Sequence, residues 1–270
     1  MPKIQYSPTA VPGVSRENAF AVLDDSGLKC GSATVVEYVN HVFFPDRPLN
    51  YYLIINAQDE PSFDMLMGAV LTRVMALRAR NMNLPARLYA PCSPKDVPLL
   101  NSLAFYGFQN DDAVIRMRRI FSNTERSFSP PVGCFIAPVV MENDADYEGL
   151  LDRVNAHSVA ARGMDWIAQL RQEQLFQVIG VWQDERLLGE LVLTAYGAEG
   201  RVEMLYTRQE AQRRGVASAL LSYAGEQLLR VGIRILTAEV WRRNLPAMTL
   251  FTARRFDGVS PILLYPGRNL

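Results

Sequence analysis

Residues 201–230 read RVEMLYTRQEAQRRGVASALLSYAGEQLLR, and this stretch decides the fold. Val202, Met204, Leu205 and Tyr206 supply a short strand. After a polar turn, Val216, Ala219, Leu220, Tyr223, Ala224 and Leu228 recur at the spacing of one helical face. Between strand and helix lies Gln212-Arg213-Arg214-Gly215-Val216-Ala217. Gly215 lets the backbone turn tightly, and the small Ala217 and Ser218 leave the first helical turn unobstructed. A helix opened this way aims unpaired N–H groups at whatever precedes it, and its dipole favours an anion there. Arg213 and Arg214 add positive charge at an end where a helix by itself prefers acids. The pattern points to an anionic ligand, although a capping turn with two solvated arginines reads the same residues.

The arrangement Gln/Arg-x-x-Gly-x-Gly/Ala, after a strand and opening a helix, resembles the acetyl-CoA pyrophosphate loop of the GNAT acyltransferase superfamily. The text MLYTRQEAQRRGVAS is most similar to the branch that includes the glycine N-acyltransferase-like proteins. No Gly-Lys-Ser/Thr follows Gly215, which excludes the phosphate loop of nucleotide-hydrolysing enzymes.

The chain has 270 residues, enough for one large or two ordinary domains. Its 28 basic and 28 acidic residues balance, which argues against a general nucleic-acid binder and against an acidic-membrane binder. The start, MPKIQYSPTAVPG, has no apolar segment of signal-peptide length, and no run is long enough to span a membrane. A cytoplasmic protein is the expectation. Cys30, Cys92 and Cys134 are scattered, and His41 and His157 stand alone, so neither a disulfide framework nor a metal site is expected.

In chain order, strands over 19–23 and 31–38 flank the turn Asp24-Asp25-Ser26-Gly27. A turn at 41–48 follows, then a strand over 51–56, a helix over 63–80, a strand over 86–91, a helix over 97–106 closed by Gly107, and a strand over 113–120. The second half repeats this order. It has a hairpin over 176–195, a strand over 201–206, a helix over 216–230, a strand over 233–241, a helix over 246–256 and a final strand over 262–265. The match extends over about 100 residues, as an internal repeat does. The second copy carries additional elements first: a strand over 132–140, a helix over 145–156 opened by Asn143 or Asp144, and another over 165–174. The expected fold is α/β with mixed sheets in two lobes. Domains are expected at 1–121 and 132–270, joined by a Pro-bearing linker at 122–131. The second half resembles a full GNAT fold, and the first a trimmed, degenerate copy.

Only the second copy has the residues for chemistry. In the first, Ser62-Phe63-Asp64-Met65-Leu66-Met67 replaces the loop, and Asp64 would repel a pyrophosphate. That copy is expected to support the second and wall part of its acceptor cleft. In the second copy, Asn244-x-x-Ala247-x-x-Leu250-Phe251, ending at Phe256, resembles the superfamily's Asn-x-x-Ala-x-x-Leu-Tyr-x-x-x-Gly-Phe. The resemblance implies that Asn244 caps a helix, that Ala247 leaves room for the pantetheine arm, and that residue 251 approaches the CoA sulfur. Phe251 stands where a tyrosine often protonates the leaving thiolate, and Arg255 stands where glycine is usual.

The resemblance further implies pantetheine along 203–207, with N–H groups near Leu205 meeting the thioester carbonyl, and Tyr206 and Thr207 alongside. Its phosphates would meet Gln212, Arg213, Arg214, Gly215, Val216, Ala217 and Ser218. Glu203 is the candidate base for an acceptor ammonium, Glu239 the second choice, and Tyr206 a candidate proton donor or a core residue. Glu203 read without the resemblance is a strand carboxylate paired with Arg201. The expected activity is N-acetyl transfer from acetyl-CoA, or a related acyl-CoA, to a small amine or amino-acid-like acceptor. The alternative is a non-catalytic acyl-CoA sensor or scaffold.

Overall fold

The computed structural model describes residues 2–41, 44–122, 129–158 and 161–270. Most of the predicted linker, residues 123–128, lies outside them, as do residues 42 and 43 of the turn at 41–48. The chain forms two compact units, Met1–Val114 with Pro261–Leu270, and Ile115–Ser260.

The first unit contains β1 (Lys3–Tyr6), β2 (Ala19–Leu23), β3 (Lys29–Val39), β4 (Leu49–Ala57), α1 (Glu60–Arg78), β5 (Ala86–Tyr89) and α2 (Val97–Phe105). From β6 (Ala113–Ile120) the chain passes into the second unit. There follow β7 (Phe135–Pro138), α3 (Asp144–Ala156), α4 (Met164–Leu170), β8 (Leu175–Gln183), β9 (Arg186–Tyr196) and β10 (Glu199–Thr207). The last elements are α5 (Val216–Arg230), β11 (Ile235–Trp241), α6 (Leu245–Ala253), β12 (Asp257–Leu264) and β13 (Gly267–Asn269).

One sheet runs β1-β2-β3-β4-β5-β13 and the other β12-β6-β11-β10-β9-β8-β7. The repeated order of elements is visible in the registers. In each unit a central antiparallel meander ends in a parallel pair. Leu49 to Tyr52 face Ala86 to Tyr89 in one, and Glu199 to Val202 face Ile235 to Ala238 in the other. Each parallel pair is joined by a long helix, and on each α1 or α5 packs its apolar face. Leu66, Met67, Val70 and Val74 are buried in the first unit; Leu220, Leu221, Ala224 and Leu228 are buried in the second. The opposite face of the second sheet carries α3 and α4. Their Leu150, Val154, Ile167 and Leu170 close over Val178 and Val192.

The expected boundary between domains follows chain order, and the two units do not. β6 lies between β11 and β12 in the second sheet, while β13 returns from the C-terminal end to pair antiparallel with β5. Alternation along 113–120 marks a strand, but the ladder that completes it depends on which sheet edge is open. The same limit applies to β1 and β13, each too short to carry a period. The helix expected over 165–174 is only Met164–Leu170, because β8 already begins at Leu175.

The return of β13 is held by a buried cation. Arg87 is 2% exposed and donates to the carbonyl of Gly267 (3.0 Å), to Asn269 Oδ1 (3.1 Å) and to Asp111. A chain ending at Leu264 should therefore unfold at lower urea, with a loss of about 2 kcal/mol or more from the orphaned donors of Arg87. An unchanged midpoint in equilibrium denaturation would mean that β13 contributes nothing to the first unit.

Candidate active site

Two helices occupy corresponding places, and their starts differ chemically. α1 opens at Asp59, whose own carboxylate accepts the Ser62 N–H at 2.7 Å. Asp64, expected to occupy the anion position, instead lies a turn further in and accepts the Tyr106 hydroxyl at 2.6 Å. The anion place of the first unit is thus filled by Asp59, a residue that sequence reasoning missed although it is an ordinary capping signal. α5 has no such cap. Gly215 is its N-cap at φ 91°, with no side-chain hydrogen bond, and Arg213 is also left-handed at φ 59°. Only glycine takes Gly215's conformation without strain. Gln212, Arg213 and Arg214 are exposed, while Val216 and Ser218 are buried, so the loop presents charge outward and amides forward. Just before the turn, the Thr207 hydroxyl is buried with no partner among the described residues.

The second feature is where β10 leaves its neighbour. The β10–β11 ladder ends at Val202 opposite Ala238, and the register of β10 against β9 shifts between Val202 and Met204. Glu203 is the extra residue of this bulge. Bulges bend a strand, end its pairing and re-aim a side chain. Here the re-aimed side chain is a carboxylate, 15% exposed, accepting the Thr194 hydroxyl at 2.7 Å and lying 3.8 Å from Arg201. Burial raises its pKa above the ordinary value of 4.5, against the hydrogen bond from Thr194 and the charge of Arg201, which lower it. The pairing of Glu203 with Arg201 is therefore real but secondary.

Glu203 opens into a cavity of about 500 Å³, whose wall includes Glu173, Thr194, Glu199, Arg201 and Thr237. Sequence reading found no acidic run, because these carboxylates come from separate segments and only the sheet gathers them. Glu239, the second candidate, is exposed and 3.5 Å from Arg116, so it acts on Glu203 only through its charge.

Tyr206 lies on the same face, one step along. Its side chain lies opposite Glu190, and burial and then the charge of that carboxylate push its pKa up to about 12. A phenol so held is a poor proton donor near neutral pH, so the structure favours its role as a packed polar residue. Glu190 also takes Arg153, through Nε at 3.0 Å and Nη2 at 2.8 Å. His157 stacks on the Tyr206 ring, with centroids 4.2 Å apart and planes 15° from parallel. The signal for Glu190 was present in the sequence: one carboxylate inside the apolar run RLLGELVLTAY of β9.

In α6 the Asn244 side chain accepts the Ala247 N–H at 3.1 Å, the cap expected of it. Phe251 is 5% exposed and packs edge-on against Phe256, centroids 5.0 Å apart. Arg255 follows the helix at φ 61°, the left-handed place that Gly107 holds after α2. A glycine would fit there without strain, and arginine does not.

Residues 142–256 match the acetyltransferase (GNAT) family. The match covers every element from α3 to Phe256, including the glycine-opened helix and the bulge. No curated protein matches the chain by sequence. A GCN5-related N-acetyltransferase from Sphaerobacter thermophilus superposes with a TM-score of 0.53 at 14% identity, over 96% of this chain and 82% of that one. A probable N-acyltransferase from Enterococcus faecalis gives 0.54 at 12% identity, over 92% of this chain and 61% of that one. At these identities the likeness is one of fold, and a GNAT-like fold accounts for the element order of the chain. Among the described residues, no cluster of His, Cys, Asp or Glu could hold a metal ion, and no helix is long and apolar enough to cross a membrane.

The raised pKa of Glu203 has a consequence for stability. Its carboxyl is stabilising when protonated; that contribution is complete below about pH 4.5, the unfolded value, and is lost as pH rises through the folded value. Glu203→Gln should therefore melt higher than wild type at pH 8 and lose that advantage near pH 4. A constant difference in melting temperature across that range would contradict the burial described here.

Proposed function

We propose that the second unit is an N-acetyltransferase that passes the acetyl group of acetyl-CoA to a small primary amine by direct attack. The observation that carries this reading is the coincidence of an uncapped, glycine-opened helix with a strand that parts from its neighbour beside a buried carboxylate. The amides of Val216, Ala217 and Ser218, with Arg213 and Arg214, suit the pyrophosphate of CoA. The unpartnered Thr207 hydroxyl supplies a further hydrogen bond at the same end. The open edge of β10 past Val202 suits the pantetheine arm, with a main-chain N–H near Leu205 for the thioester carbonyl.

Glu203 takes the proton from the acceptor ammonium, directly or through water, and its raised pKa brings it nearer to the pH at which a base must work. The freed amine nitrogen bonds to the carbonyl carbon and gives up its second proton to solvent, and the C–S bond breaks to release CoA as thiolate. Phe251 has no proton to give and is packed on Phe256, so the thiolate leaves without a donor from that position. A thiolate is a tolerable anion near neutral pH. Glu173 and Glu199 on the cavity wall favour a cationic acceptor and disfavour one that carries its own carboxylate next to the amine. Of the small amines and amino-acid-like acceptors, the former fit better.

Phe251 supports a second reading, a protein that binds acyl-CoA without turning it over. Calorimetry and steady-state CoA release separate the two. Wild type should bind CoA, and Gly215→Asp should abolish binding through strain and charge. Arg213→Ala with Arg214→Ala should weaken it several-fold, more at low salt. Glu203→Gln should keep CoA affinity and lower kcat about 100-fold near pH 7. Unchanged affinity in Gly215→Asp would refute the loop assignment, and binding without turnover across a broad amine panel would establish the sensor.

A further inference from the structure

We propose that Arg153, Glu190 and His157 are positioning residues that clamp Tyr206, and so hold the strand segment 204–207 in place beneath α3. The proposal rests on the acyltransferase reading above, in which that segment carries the thioester. Glu190 faces Tyr206 directly across the β9–β10 ladder and is 1% exposed, surrounded in β9 by buried neighbours. It accepts two N–H groups from Arg153 of α3 and sets its charge beside the Tyr206 phenol of β10. One carboxylate thus joins a helix and two strands.

Stability alone does not explain a charged pair here, since apolar side chains of similar volume commonly serve a buried site as well or better. The pair adds direction. A guanidinium fork meets a carboxylate in one plane and one register, which fixes α3 along as well as against the sheet. His157, the C-cap of α3, covers the face of the Tyr206 ring and restrains its tilt. The residues on either side of Tyr206 are Leu205 and Thr207, so a small slip of the ring displaces the amides that would meet the acyl group. Displacements of about 1 Å at a reacting centre cost rate far more than affinity.

The clamp also has a pH dependence. His157 stacks on Tyr206 of the sheet and feels the charges of Arg208, just past β10, and of Glu190, which also holds Arg153 of α3. Burial and then Arg208 lower its pKa below the ordinary 6.5, with Glu190 opposing them. Neutral imidazole therefore stacks at neutral pH. Acidification through that lowered pKa adds a second cation beside Arg208 and loosens the stack.

Two measurements on the double variant Arg153→Met, Glu190→Met test the clamp, since removing both charges leaves neither one buried alone. Hydrogen exchange at the amides of 204–207 should quicken; unchanged exchange overturns the proposal whether or not the protein turns over substrate. In steady-state kinetics kcat should fall about 10- to 100-fold while the Kd for CoA stays within about two-fold; a wild-type kcat overturns the proposal. Should the double variant fail to fold, Arg153→Lys keeps the charge and loses the fork, and must show the same kcat loss. His157→Phe keeps a ring without a proton. The acid limb of its pH profile, normalised to its own plateau, should flatten from a two-proton to a one-proton slope. An unaltered limb removes His157 from the clamp. Failure of wild type to bind CoA would instead refute the acyltransferase reading and leave the exchange result standing.

Discussion

The second unit depends on the interruption of one ladder. Four residue pairs join β10 to β11, and then the bulge at Glu203 bends β10 away. A sheet that continued would have satisfied its own backbone groups and left no edge for a ligand. By ending the ladder inside the sheet, the chain leaves β10 past Val202 without pairing to β11. The bulge also places Glu203 on the wall of a cavity, against Thr194. The end of the ladder and the placing of this carboxylate meet at one extra residue.

Two buried carboxylates on that face illustrate how partners decide a role. Glu190 meets a complete guanidinium fork and a phenol, so its charge is fully engaged and it serves as structure. Glu203 has one hydroxyl close by and a guanidinium at 3.8 Å, so burial outweighs stabilisation and its proton is more firmly held. The first is held in its charged form by its partners, and the second has its pKa raised by burial.

The features legible in the sequence were those set by local chemistry. The glycine turn at 215 needed only the strand-turn-helix pattern, Asn244 only its place before a helix, and Asn143 only the box it makes with Asp146. The repeated order of elements was legible for the same reason, since periodicity marks helices and strands wherever they end up. Features set by long-range pairing were not legible. Glu173, Thr194 and Glu199 are unremarkable in sequence and meet only when β8, β9 and β10 are side by side. Tyr206 read as a proton donor or core residue until Glu190 was placed opposite it. The helix starts show the contrast: Gly215 is marked by its residue type, whereas Asp59 is one acidic residue among several near the start of α1 and is told apart only by the N–H it accepts.

The exchange of terminal strands bears on how the protein is made. β1 to β5 leave the ribosome first, yet the outer edge of β5 has no partner until β13 is translated. At about 5–20 residues per second that wait lasts roughly 10–40 s. Through it the nascent first unit carries a bare strand edge and an Arg87 paired only with Asp111, while β6 waits for β11 to be synthesised. The half of the protein that emerges first is the last to be completed.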